Sequence, residues 1–146
     1  WGVAWITGAS SGIGRELALR LAGEGVLVAI SARSADKLAE IAKLHKNIKP
    51  YALDVTDEKA VAACASQIVS DLGPIDLAVF NAGVWHPMSA SKYDLAKAKD
   101  SLTVNVTGVI NALDPVMRTM IARGAGHIAI VASVAGYRGL PKGAAY

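Results

Sequence analysis

Apolar and polar positions along this chain fall into two alternating registers. Short apolar runs without internal polar alternation recur at Val3 to Ile6, Val26 to Ile30, Tyr51 to Leu53, Leu77 to Phe80 and Ile128 to Ala132. Such runs predict strands covered on both faces, as in a parallel sheet. Between them the apolar residues take helical spacing. Ile13, Leu17 and Leu21 form one stripe, Leu38, Ile41 and Ala42 a second, and Val61, Cys64, Ile68 and Leu72 a third. A longer segment from Ser91 to Arg123 carries Ala98, Leu102, Val109, Ala112, Val116 and Met120 on one face. Pro115 is expected to kink it and Gly108 to weaken it. Ser34 and Thr56 stand where N-caps belong, and Asp57 and Glu58 suit the first turn of the third helix through its dipole. Strand and helix alternate five times, which predicts an α/β, doubly wound parallel sheet with right-handed crossovers. No internal repeat or linker interrupts the pattern, so residues 1–146 are expected to form one domain.

Composition narrows the classes. At 53% hydrophobic residues over 146 positions the chain can bury a full core. No apolar run reaches the length of about 18 residues that spans a bilayer, so a soluble, cytoplasmic protein without membrane partners is expected. The net charge is +3 and the 15 basic residues are scattered, which gives no nucleic-acid face. Cys64, the single cysteine, sits in a helical stripe and is read as a packing residue. His45, read as ending a helix, His86 in a loop and His127 before a strand show no metal-ligand spacing. The chain opens at Trp1 inside the first strand and stops at Tyr146, so part of a longer protein is expected.

Thr7 to Gly14 read Thr-Gly-Ala-Ser-Ser-Gly-Ile-Gly, between the first apolar run and the first helical stripe. A turn that leaves a buried strand and opens a helix aims free N–H groups and the positive helix end at one point, where a phosphate can sit. Gly8, Gly12 and Gly14 clear the Cβ atoms that would obstruct a pyrophosphate. Their spacing matches neither GxGxxG nor a P-loop. In an open parallel sheet ligands bind outside the carboxyl ends of the strands. The five exits here carry the glycine turn, then Arg33, then Asp54, then Asn81, Ala82 and Gly83, then Ser133. That set suits a dinucleotide laid along one edge.

Two residues refine the picture. An NAD site usually places an acidic residue about 20 positions past the glycine turn, to accept from the ribose 2′-hydroxyl. Ala32 and Arg33 stand there instead, and a guanidinium can hold a 2′-phosphate through paired charged hydrogen bonds, so NADP(H) is read ahead of NAD(H). Asn105 falls on the apolar stripe of the long helix, where its amide needs buried partners. Backbone groups freed near a kink, or a ligand at the sheet edge, would each serve.

Thr7 to Gly14, Asp54-Val55, Asn81-Ala82-Gly83, Asn105-Val106 and Ser133, followed thirteen residues on by Tyr146, resemble the motifs of the short-chain dehydrogenase/reductase family in its short single-domain branch. The resemblance covers the whole chain and implies a Rossmann-type sheet, here incomplete on its C-terminal side. It implies that Ser10, Ser11, Ile13 and the three glycines hold the phosphate and ribose region of the cofactor. Asp54 and Val55 would contact the adenine, and Asn81, Ala82 and Gly83 would brace the sheet beside it. Asn105, Ser133 and Tyr146 would be three members of the catalytic tetrad. The fourth, a Lys four residues after the Tyr, lies beyond the chain, so the fragment by itself is expected to be inactive. The implied activity is an NADP-dependent exchange of hydride between an alcohol and a carbonyl, in a homodimer or homotetramer when full length. A cofactor-binding but catalytically inactive sensor or scaffold is the alternative. Trp85 and His86 read as an ordinary surface loop within reach of a substrate cleft.

Overall fold

The computed structural model describes residues 1–146. Five parallel strands, β1 (Val3–Thr7), β2 (Leu27–Ala32), β3 (Ile48–Ala52), β4 (Leu77–Phe80) and β5 (His127–Ile130), form one sheet in the order β3-β2-β1-β4-β5. The helices are α1 (Gly12–Gly23), α2 (Ala35–Ala42), α3 (Glu58–Leu72), α4 (Leu95–Leu102) and α5 (Gly108–Arg123). This is the doubly wound parallel sheet that the sequence predicts.

Strand pleating explains the two layers, because successive side chains point to opposite faces. On β1, Val3 and Trp5 join a core with α3 and α5, while Ala4 and Ile6 join a second core with α1 and α2. On β4, Ala78 and Phe80 face the first core and Leu77 and Val79 the second. Both faces of the central strands are therefore dry, which is why their sequences show no polar alternation. The Trp5 indole still finds a partner, donating to Ser31 Oγ at 2.8 Å. Cys64 packs against the first core, and burial pushes its thiol up from the ordinary value.

The long helical segment departs from expectation. It opens with a short turn at Ala90–Lys92, then runs as α4, a π-turn at Thr103–Thr107 and α5. Pro115 lies inside α5, and the irregularity sits instead at the π-turn. A π-turn adds one residue to the helical cycle and so shifts the phase of everything after it. The buried positions become Ala98, Ser101, Val104, Gly108, Ala112, Val116 and Met120, and Leu102 is left 59% exposed. A stripe drawn through Leu102 assumes an unbroken α-helix. Ile13 is likewise outside the core at 66% exposure, since the buried face of α1 runs through Gly14, Ala18, Leu21 and Ala22. His45 lies past the end of α2, its Nδ1 accepting from the Asn47 N–H, and His127 begins β5.

The two sheet edges differ. On β3, Pro50 lacks an N–H and Lys49 pairs with Asp71 at 2.8 Å, features that discourage a further strand. β5 pairs only with β4, and its Ile130 is exposed. No helix is long and apolar enough to cross a membrane.

Candidate functional site

The strand order reverses between β1 and β4, and a cleft of about 310 Å³ opens at the carboxyl ends of the strands beside that reversal. Gly8, Ser10 and Ser11 line it from the β1 exit, Ala32, Arg33 and Ser34 from β2, and Leu53, Asp54 and Val55 from β3. Asn81, Ala82, Gly83 and Val84 line it from β4, and Val104 from the π-turn.

Glycine is required at three places in the turn, for a left-handed φ at Gly8 and Gly12 (+57°) and for space at Gly8 and Gly14. Gly8 has φ +67°, and a Cβ there would stand 2.6 Å from the Ala82 Cα. A Cβ on Gly14 would meet Asn81 Nδ2 at 2.5 Å and the Gly8 oxygen at 2.8 Å. Above Gly12, by contrast, nothing stands within 4 Å. The turn is thus packed hard against the β4 exit below and open above. Asn81 makes this junction: its amide donates to the carbonyls of Thr7 at 3.2 Å and Gly8 at 3.1 Å. Thr7 Oγ1 accepts from the N–H groups of Asn81 at 3.1 Å and Ala82 at 3.2 Å.

Helix N-termini on this molecule are of two kinds. At α3 the Asp57 carboxylate accepts from the Ala60 N–H at 3.0 Å, and at α4 Asp94 accepts from the Lys97 N–H at 3.1 Å. Thr56, the expected cap of α3, instead donates through both its N–H and hydroxyl to Asp54 Oδ1, one residue too early for the helix. At α1 and α2 the capping positions, Ser11 and Ser34, form no side-chain cap bond, and the first turn of α1 carries no acid. Their leading N–H groups have no intrahelical acceptor, so α1 presents a positive end with no protein anion near it, while at α2 the cap is open but Asp36 lies in the first turn. Arg33 stands between them and enters no ion pair. The Thr56 N–H, with its hydroxyl and the neighbouring Arg33 charge, holds the Asp54 carboxyl below the usual carboxylate range.

The remaining candidates lie beyond this cleft. Asn105, in the π-turn, accepts from the Val84 N–H at 2.7 Å and donates to the Val84 carbonyl at 2.9 Å. Its amide thus serves backbone at the β4 exit rather than groups freed in its own helix. Ser133 Oγ accepts from the Ala135 N–H at 3.2 Å. The Tyr146 ring lies 6.4 Å from that of Trp85, centroid to centroid, and no hydrogen bond joins Tyr146 to Ser133 or Asn105. Gly12, Ile13 and Gly14 support the turn without lining the cleft.

Val84, Val104 and Asn111 belong to this neighbourhood and escape sequence reading, while Thr7 and Ser34 are read there only as motif start and helix cap. Asn111 donates to the Val55 carbonyl at 3.0 Å, where a Cβ on Gly108 would meet Val55 Cγ2 at 2.6 Å, so α5 presses on the β3 exit. A polar residue six positions after Asn105 on the same helix was the available signal. Val84 and Thr7 abut known motifs, but their use as backbone-level anchors has no sequence signature.

The short-chain dehydrogenase family model matches residues 2–146, and the chain belongs to that family. Curated relatives are named oxidoreductases. One from Myxococcus xanthus, named an uncharacterized oxidoreductase, is 37% identical over 98% of this chain and 58% of its own length. Among solved structures, a variant of actinorhodin polyketide ketoreductase with NADPH superposes with a TM-score of 0.94 at 32% identity, over 99% of this chain and 57% of that one. Serine dehydrogenase from Escherichia coli gives 0.93 at 26% identity, over 99% and 68%. The chain spans rather more than half the length of such relatives.

Proposed function

We propose that the chain is the cofactor-binding and proton-donating part of an NADP-dependent oxidoreductase that interconverts an alcohol and a ketone or aldehyde. The observation that carries this reading is the pair of uncapped helix ends flanking Arg33. α3 and α4 close their N-termini with Asp, whereas the capping serines of α1 and α2 make no cap bond beside a cleft with an unpaired guanidinium, Asp36 being the one acid in either first turn. The glycine cradle fits a pyrophosphate over Gly12, and Arg33 with the α2 end fits a 2′-phosphate that NAD lacks. NADPH is also what the matched ketoreductase structure holds.

The dinucleotide supplies the hydride in reduction and accepts it in oxidation. The residues of the chain hold the cofactor and move the proton. As negative charge develops on the substrate oxygen, Tyr146 gives up its phenolic proton to it, and the Ser133 hydroxyl donates a second hydrogen bond. In the oxidative direction Tyr146 takes the proton back. Asn105 acts at one remove, fixing Val84 and with it the cleft wall. Gly8, Ser10 and Ser11 hold the phosphates on a turn that Gly12, Ile13 and Gly14 shape, Asp54 and Val55 hold the adenine end, and Asn81, Ala82 and Gly83 lock the turn to β4. In the cell such a protein works on small molecules in the cytoplasm, as a homodimer or homotetramer.

The test is NADPH binding and carbonyl reduction by the full-length protein and its Tyr146→Phe variant. Tight NADPH binding with a loss of kcat by a factor of about 10² to 10⁴ in the variant is expected. An unchanged rate in the variant, or no NADPH binding, would sink the proposal. Binding without turnover would move the reading to a cofactor-binding sensor or scaffold.

A further inference from the structure

Trp85 is held in place by its neighbours without being buried itself. Asn105 pins Val84 on both its N–H and its carbonyl. His86 bonds Asp100 at 2.7 Å, and the Met88 N–H donates to the Lys142 carbonyl at 2.8 Å. The backbone around Trp85 is therefore fixed on three sides, yet the indole remains 55% exposed. The indole thus keeps an open face on an anchored loop, where a planar apolar group can lie against it. Its ring meets Tyr146 at 6.4 Å with the planes tilted by 52°, an ordinary geometry for an aromatic pair.

The two halves of the ligand edge also differ in chemistry. At the first three exits the cleft offers Ser10, Ser11, Arg33, Ser34 and Asp54. The segments leaving β4 and β5 expose Trp85, Val134, Tyr137 and Leu140. No Asp or Glu occurs from Leu77 to Tyr93 or from Pro115 to Tyr146. Asp100, which approaches the first of these segments, is engaged by His86.

We propose that Trp85 is the platform on which the substrate's carbon skeleton lies, and that the substrate is a flat aromatic ketone or the corresponding alcohol. The inference rests on the reading of Tyr146 as the proton donor. A carbonyl bonded to the Tyr146 hydroxyl brings its substituents alongside the indole, which rewards a planar apolar face. A sugar presents a hydroxyl on almost every carbon and needs carboxylates or amides to meet them, and the segments around Trp85 and Tyr146 carry no Asp or Glu.

Initial rates of the full-length protein with NADPH and 2-acetylnaphthalene, butanone or fructose test the inference. The expected kcat/KM for 2-acetylnaphthalene exceeds that for butanone by about tenfold or more, and fructose is the poorest of the three. Trp85→Ala should collapse the ratio of the two ketones, chiefly through KM, whereas Trp85→Phe keeps most of it. Trp85→Leu serves the same purpose if the alanine variant is insoluble. A ratio unmoved by the loss of the ring, or a preference for fructose, overturns the proposal. A wild-type protein that binds NADPH and reduces none of the three overturns the oxidoreductase reading itself, together with the inference built on it.

Discussion

At the β1 and β2 exits the cleft is shaped mainly by backbone, a glycine turn packed onto Ala82 and Asn81 and two helix ends with no side-chain cap, with Arg33 beside them. At the β4 and β5 exits it is side chains, Trp85 and Tyr146, carried on loops that Asn105, His86 and Met88 tie down. Backbone groups cannot be exchanged by mutation without moving the chain, so the first half suits one unvarying partner. Side chains on anchored loops can be changed singly, and the second half suits a partner that differs from one enzyme to the next.

Substitutions at three positions would break or sharpen that contrast. Gly8→Ala should have the largest effect: a left-handed φ and a Cβ 2.6 Å from Ala82 backbone combine strain with overpacking. A loss of about 3 kcal/mol or more in urea unfolding is expected, with NADPH binding abolished. Asn105→Ala leaves the Val84 N–H and carbonyl unpaired and should cost about 2 kcal/mol. Asn105→Asp retains the acceptor but turns a carboxylate toward the Val84 carbonyl, so it should recover less than half of that loss. Equal stability of all three proteins would show that the loop does not depend on this side chain. Ser11→Asp is the smallest in stability and opposite in sign. A carboxylate at the open α1 end should raise stability by about 0.5 to 1 kcal/mol while weakening NADPH binding about tenfold. A variant that is more stable and binds equally well would place the phosphates elsewhere.

Sheet type, strand exits and the glycine turn were legible because each has a local signature: unbroken apolar runs, spacing and turn chemistry. The boundaries drifted by one to three residues, as at β3, which begins at Ile48 rather than Tyr51. The π-turn was not legible. Nothing in Thr103 to Thr107 announces an extra residue in the cycle, and Pro115 drew the irregularity to the wrong place. Asn105 stood out as a polar residue on an apolar stripe, but its partner depends on how β4 and the helix meet in space. The uncapped ends of α1 and α2 were hidden for a related reason. Ser11 and Ser34 are good capping residues by type, and only their geometry shows that they do not cap.

The π-turn also governs what changes in chain length this helix can absorb. Each residue advances an α-helix by about 100°. Deleting one residue between Thr103 and Thr107 would give back an ordinary helix and leave α5 in nearly the same orientation relative to α4, because the wider π-turn already absorbs the extra residue. Gly108, Ala112, Val116 and Met120 would stay on the sheet, and the cost would fall on Asn105 and its hold on Val84. The exposed strip through Leu102, Val106 and Ile110 accepts substitution freely, whereas a deletion inside α5 would turn everything after it by that angle. Single-residue deletions among relatives should therefore fall in this five-residue stretch rather than in α5.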